Sequence, residues 1–346
     1  MKSFKYILFL LLIAVIGTSI YVAIQPNTFE VSRTRTILAP ASVIYNNVID
    51  FKNWKDWSSW VEANPEMKLI YPKQTSGINS SYSWEDDSGQ GSITTLETLP
   101  NATIYQEMQI ADFPASKINW VFNPNNDGST NVTWSIYGSD LPFGFKAYTA
   151  FTGSMEEQLG PHYERSLEKL DSIVLASMEV YSIKINGITS YAGEHFLYNS
   201  TTCEISEFED KMQDMFNQIM SYTKEHNISM SGAPFVNYTQ WDEVNNTAEF
   251  SCCVPITEEL TPKSSNILIG NIEPFRALKT TLKGDYRNLK EAWETALKYI
   301  PDTGLEFAED GPMLEVYITN PDNNLNPADW ITEIYIAIKE EPLNAF

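Results

Sequence analysis

The chain is short of the residues that metal, redox and nucleophilic chemistry draw on. Its 346 residues include three cysteines and three histidines. Cys203, Cys252 and Cys253 form no CxxC pair and have no histidine at ligand spacing, so neither a metal site nor a cofactor is expected. Cys252 and Cys253 are adjacent on a predicted strand and point to opposite faces, which disfavours a local bridge. Buried free thiols are expected, with a long-range disulfide through Cys203 as the alternative. His162, His195 and His226 are scattered and join no Ser/His/Asp or Cys/His constellation. Positive charge is scarce too: 23 Lys and Arg stand against 45 Asp and Glu, a formal net charge of −22. Such a chain repels phosphate backbones, and no helix-turn-helix pattern or basic stripe offsets the balance, so no nucleic-acid partner is expected.

Charge is absent altogether from Tyr6 to Ile24, a run of about the 20 residues a helix needs to cross a hydrocarbon core. Lys2 and Lys5 precede it, which favours a cytoplasmic N-terminus and an extracytoplasmic globular part. A cleaved signal peptide is the rival reading, but its apolar region should be shorter and end at small residues, whereas this run continues through Tyr21-Val22-Ala23-Ile24. Residues 1–27 are therefore expected to be a single-pass anchor in the cytoplasmic membrane, touching lipid through residues 6–24. The remainder, with 43% hydrophobic and 13% aromatic residues in the whole chain, is enough for two globular units.

In the first of these, residues 28–177, Phe29 to Leu38 alternates as a strand and Ser42 to Ile49 reads as a short helix. Trp54, Trp57 and Trp60 follow at spacing three and are read as plugs at that end of a sheet. Strand-like runs at Ser81–Trp84, Ser92–Leu96, Ala102–Ile110, Lys117–Phe122 and Asn131–Tyr137 are divided by turn signals such as Asp86-Asp87-Ser88-Gly89. A long helix begins at Ser154, which forms a capping-box pattern with Glu157. One strand, a short helix, antiparallel strands and a closing helix resemble the SRPBCC or START-like superfamily of polyketide cyclases and lipid-transport proteins. That resemblance rests on the stretch LAPASVIYNNVIDFKNWKDWSSW and the closing helix. It implies a helix-grip domain with a ligand cavity, which Trp84, Trp120, Trp134 and Tyr105 could line, and it carries over no catalytic residue.

The second segment, residues 178–346, contains an internal repeat. A strand (Tyr181 to Ile188), a helix (about Glu204 to His226) and strands near Pro234–Thr239 and Ala248–Ile256 are echoed by Phe275–Lys283, Leu289–Ile300, Met313–Thr319 and Ile331–Ile338. Two β-α-β-β units should meet along a groove. Alternation in the last strand puts Ile334, Ile336 and Ile338 on the helices and leaves Glu333 and Tyr335 on the other face. The same reasoning gives Leu314, Val316 and Ile318 to the helices, so that Glu315 and Tyr317 join Glu333 and Tyr335. Aromatic rings around a carboxylate in a partly dry groove suit a hydrophobic cation. An ordinary strand carboxylate facing solvent is the alternative for Glu333, as plain packing is for both tyrosines.

Lys283-Gly284-Asp285-Tyr286, the run Leu314 to Pro321 and the run Trp330 to Ile338 resemble the GyrI-like, AraC-type effector-binding superfamily related to SOUL proteins. The resemblance implies that Glu333 sits in a ligand cleft facing cationic aromatic molecules, that Tyr286 lies near it, and that some members hydrolyse reactive small molecules. The DNA-binding domain of the family's regulators is missing, and Ala337 replaces a common proline. The expected fold is thus α+β: a transmembrane helix, a helix-grip antiparallel sheet and a duplicated effector-binding domain. The expected function is a membrane-tethered sensor or scavenger of small amphipathic or cationic molecules. The alternatives are a hydrolase of lipophilic electrophiles with Glu333 as general acid or base, and a structural protein with filled cavities.

Overall fold

The computed structural model describes residues 2–86, 89–257, 266–319 and 321–340. Asp87 and Ser88 of one turn signal, Asn320 of the Leu314–Pro321 run, and residues 1 and 341–346 of the expected segments lie outside them. The fold is α+β with antiparallel sheets and one apolar N-terminal helix, and it divides into two compact units, Met1–Ser177 and Met178–Phe346.

In the first unit α1 (Lys2–Ala23) includes the apolar stretch Phe4–Ala23, long enough to cross a membrane, as a signal sequence also would be. It leads into β1 (Thr28–Ile37). Pro40, its φ fixed near the helical value, then opens α2 (Ala41–Ile49), and two single-turn helices, α3 (Trp54–Trp57) and α4 (Ser59–Ala63), follow. Strands β2 (Lys68–Ile70), β3 (Ser81–Asp86), β4 (Gly89–Leu99), β5 (Thr103–Ile110), β6 (Ser116–Pro124) and β7 (Thr130–Ser139) form a meander. β1 pairs with β7, giving the order β1-β7-β6-β5-β4-β3-β2.

Two helices close the unit. Pro142 introduces α5 (Phe143–Thr152), unanticipated in the sequence, and Gly153 ends it at φ +104°, a conformation that strains any residue with a Cβ. The long α6 (Met155–Met178) begins with a reciprocal box: Ser154 N–H donates to Glu157 Oε2 at 2.8 Å, and Glu157 N–H donates to Ser154 Oγ at 3.3 Å. Tyr163 and Trp120 both stack on Trp134, at 3.8 Å and 4.4 Å, and Trp54 and Trp57 pack edge-on against Trp120 and Trp134. Of the four side chains expected to line a cavity, Trp120 and Trp134 are thus packed into this aromatic core, while Tyr105 is exposed.

The second unit comprises β8 (Ser182–Tyr191), β9 (Glu194–Glu204), α7 (Phe208–Glu225), β10 (Phe235–Asp242), β11 (Thr247–Pro255), β12 (Leu268–Ile272), β13 (Phe275–Lys283), α8 (Leu289–Asp302), β14 (Met313–Tyr317) and β15 (Ile331–Ala337). One antiparallel sheet results, in the order β12-β9-β11-β10-β14-β15-β13-β8. Strands and helices recur in the same order in the two halves, but each half leads with two strands, and the halves exchange the first: β8 pairs with β13 of the second half, and β12 with β9 of the first. The strand equivalent to β13 is therefore β9, not the Tyr181–Ile188 run. Its polar sequence, with Asn199, Ser200, Thr201 and Thr202, hid it.

Two-residue links join strands at opposite ends of this sheet, Ala192-Gly193 between β8 and β9 and Glu273-Pro274 between β12 and β13. Links that short span roughly 10 Å, so the ends must curl toward each other. Gly193, at φ +77°, makes the approach possible, because a Cβ there would sit 2.5 Å from the Ile272 carbonyl oxygen. Both faces of the sheet are consequently covered. α7 packs on Val236, Phe250, Cys252 and Val254, and α8 on Leu278, Leu282, Ile334 and Ile336, while the opposite face holds Phe196, Phe235, Cys253, Leu314 and Val316. All three cysteines are free and buried.

Candidate functional site

Register decides which side chains share a surface. β14 lies between β10 and β15, where the two halves meet, and Glu315 is opposite Val236 on one side and Ile334 on the other. Val236 and Ile334 belong to the helix-covered face, so Glu315 does too, and Tyr317 and Tyr238 follow it two residues along their strands. The Glu315 side chain is nearly sealed, with 2% of its surface exposed.

Three donors converge on it. Trp293 of α8 gives its indole N–H to Oε2 at 2.6 Å, Tyr317 its hydroxyl to Oε1 at 2.5 Å, and Tyr238 a longer bond to Oε2 at 3.4 Å. Asp285 caps the 3-10 turn ahead of α8 by accepting from Arg287 N–H at 2.8 Å, and that turn carries Tyr286, whose ring meets Tyr317 edge-on at 5.5 Å. From the other helix, the Met212 sulfur lies 3.2 Å from the Tyr317 hydroxyl oxygen. Trp293, Tyr238, Tyr317 and Tyr286 are each half-buried, and their rings cover the carboxylate on the helix-covered face.

The carboxyl group has no cationic neighbour among the described residues: no ion pair to Glu315 is found there. Burial raises its pKa, and the bonds from Tyr317, Trp293 and Tyr238 pull the other way. Burial and the adjacent carboxylate push the Tyr238 and Tyr317 hydroxyls far up and Tyr286 up to about 12. The Tyr286 hydroxyl is buried without a hydrogen-bond partner.

Glu333 and Tyr335 occupy the opposite face. Register sets Glu333 against Val316 and Tyr335 against Leu314, so the five predicted site residues do not converge: Glu315, Tyr317 and Tyr286 lie on the helix side, Glu333 and Tyr335 on the other. Alternation had identified Leu314 and Val316 as buried, but they join the second core rather than the helices. Nor is Glu333 unpartnered. Lys279 Nζ is 2.8 Å from Oε1, with side-chain exposures of 25% and 18%, and the Tyr335 hydroxyl donates to Oε2 at 2.7 Å. The ammonium also lies 5.3 Å from the Tyr335 ring centroid. Burial works against the Lys279 charge, yet its bonds to Glu333 and Tyr335 raise its pKa on balance. Glu194, half-buried on this face, accepts the Tyr191 hydroxyl.

Sequence reasoning missed Trp293 and Tyr238 as site residues. Trp293 had been counted only as one apolar position on a helix, and the available signal was its indole N–H, a buried donor that needs an acceptor.

A model of the GyrI-like small molecule binding domain family matches residues 193–339. No curated protein matches the chain. Similar solved structures include the EcmrR–DNA complex seen by cryo-electron microscopy, 15% identical over 52% of this chain and 71% of that one, with a TM-score of 0.40. They also include the EcmrR C-terminal domain (17% identical, 47% and 99% covered, TM-score 0.39) and a protein from Chromobacterium violaceum (17%, 43% and 98%, 0.32). The first of these is a DNA complex, which corrects the exclusion of nucleic acid made from charge. A total of −22 sums over the whole chain and is no ground for ruling out such a partner at one surface.

Proposed function

We propose that the second unit binds small hydrophobic cations between α7 and α8, beneath the rings that cover Glu315, with Glu315 as the recognising carboxylate. The observation that carries this reading is a sealed carboxylate with no cationic neighbour among the described residues, beneath four aromatic rings. An isolated buried charge costs several kcal/mol, and hydrogen bonds alone offset only part of it. A ligand cation would supply the missing charge, and the rings would contact it through their negative faces. The match to a small-molecule-binding family supports the same role. Because the covering rings are only half-buried, entry would take ring rotation rather than unfolding of a helix. Glu333, with both oxygens occupied, offers nothing that favours a hydrolase.

On this reading the chain is a membrane-tethered sensor or scavenger. The tether is α1, with Lys2 and Lys5 on the cytoplasmic side and the globular units outside. The first unit, a meander with α6 laid across it, supports the START-like, helix-grip reading, though its aromatic interior is occupied by its own rings. The test is calorimetric titration of the full chain in detergent with benzyltrimethylammonium and with neopentylbenzene, its uncharged carbon isostere. The cation should bind at least tenfold more tightly, and equal affinities would refute recognition by charge.

A further inference from the structure

We propose that α5 is an interfacial helix that beds its aromatic face in the lipid surface beside α1, so that the first unit lies on the membrane rather than swinging from it. The proposal rests on reading α1 as a retained anchor. α5 has no buried residue. Phe143, Tyr148 and Phe151 are 53%, 52% and 67% exposed. Phe143, Ala147 and Phe151 follow one another at i, i+4 and i+8, with Tyr148 alongside, so the exposed rings form one stripe. In a chain so rich in acids, residues 141–155 contain none and carry one charge, Lys146. An apolar aromatic stripe with a lysine and no carboxylate suits the headgroup boundary, where Phe and Tyr rings settle and anionic lipid attracts cations.

Chain continuity identifies the occupant. α5 packs against α1, and Leu141 N–H reaches the Asn27 carbonyl at 3.3 Å. Its inner ring, Phe145, stacks on Phe29 at 5.9 Å and meets Phe113 edge-on at 5.5 Å. Only residues 24–27 separate α1 from β1. The six backbone steps from Ala23 to Phe29 reach at most about 22 Å, so Phe29, and with it Phe145, cannot leave the neighbourhood of the membrane surface once α1 spans it. The stripe is therefore held where lipid headgroups begin.

The experiment places an environment-sensitive thiol dye at Phe151→Cys, at Ile13→Cys in α1, and at Val244→Cys, an exposed position in the second unit, each in the full chain. The three native thiols are buried. The proteins are reconstituted in phosphatidylethanolamine/phosphatidylglycerol vesicles containing lipids spin-labelled at shallow or deep positions. The expected result is a blue-shifted dye at 151, quenched several-fold more by shallow than by deep labels, deep quenching at 13, and none at 244. Deep quenching at 13 with 151 behaving like 244 overturns the proposal and leaves the anchor intact. A blue shift at 151 without lipid quenching, accompanied by 151–151 cross-links, overturns it in favour of a second copy on this face. Loss of position 13 by cleavage refutes the anchor. In that case quenching at 151 still supports lipid contact by α5, and its absence removes both readings.

Discussion

Glu315 illustrates how little of a site's geometry alternation conveys. Period-two patterning shows which residues of a strand share a face, but it does not say which face the helices cover when both are packed, and a single face error moved Glu315 and Tyr317 to the wrong side. The residue type was legible; the surroundings were not, because the donors Trp293 and Tyr238 come from α8 and β10. Removing the 2.6 Å indole bond with Trp293→Phe leaves the buried carboxylate under-satisfied. It should destabilise the second unit by about 1–3 kcal/mol, read from urea denaturation. The pH dependence has a definite sign. Burial raises the Glu315 pKa in the folded state, so between the unfolded and folded values the native protein holds more protons. Stability is full below the unfolded value and falls as pH rises through this window, and Glu315→Gln should flatten that fall. Affinity for a cation should move oppositely, rising as the carboxyl ionises, which titrations at several pH values would show.

At the scale of elements, short-range patterns were the readable ones. The start of α6 follows from two residues three apart, and the reciprocal bonds form as expected. Ser154→Ala should therefore cost about 1 kcal/mol of stability in the first unit, seen as a lowered melting temperature in detergent. α5 escaped notice because none of its residues is fully buried and no buried stripe marks a helix. β9 escaped because its polar residues interrupt the apolar run. The exchange of leading strands between halves could not be read at all, since pairing partners 70 or more residues apart leave no local trace; it depends on Gly193, where a Cβ would strike the Ile272 carbonyl. Gly193→Ala should force the sheet ends apart and destabilise the second unit more than an exposed glycine substitution such as Gly304→Ala, which also has positive φ but open space around it. Hydrogen exchange in β9 and β12 would report the difference.

At the scale of the molecule, patterning along the chain foresaw an α+β fold with an apolar leading helix, but composition misjudged what total charge excludes. Two carboxylates on neighbouring strands are held differently: Glu333 by Lys279 and Tyr335, Glu315 by neutral donors alone among the described residues. The decisive measurement is calorimetric binding of benzyltrimethylammonium to the full chain and to its Glu315→Gln and Glu333→Gln variants. Loss of a buried charge partner costs roughly 2–5 kcal/mol, so Glu315→Gln should weaken binding by well over tenfold while Glu333→Gln leaves it nearly unchanged. Equal binding by wild type and Glu315→Gln, with the loss falling on Glu333→Gln, would contradict the account.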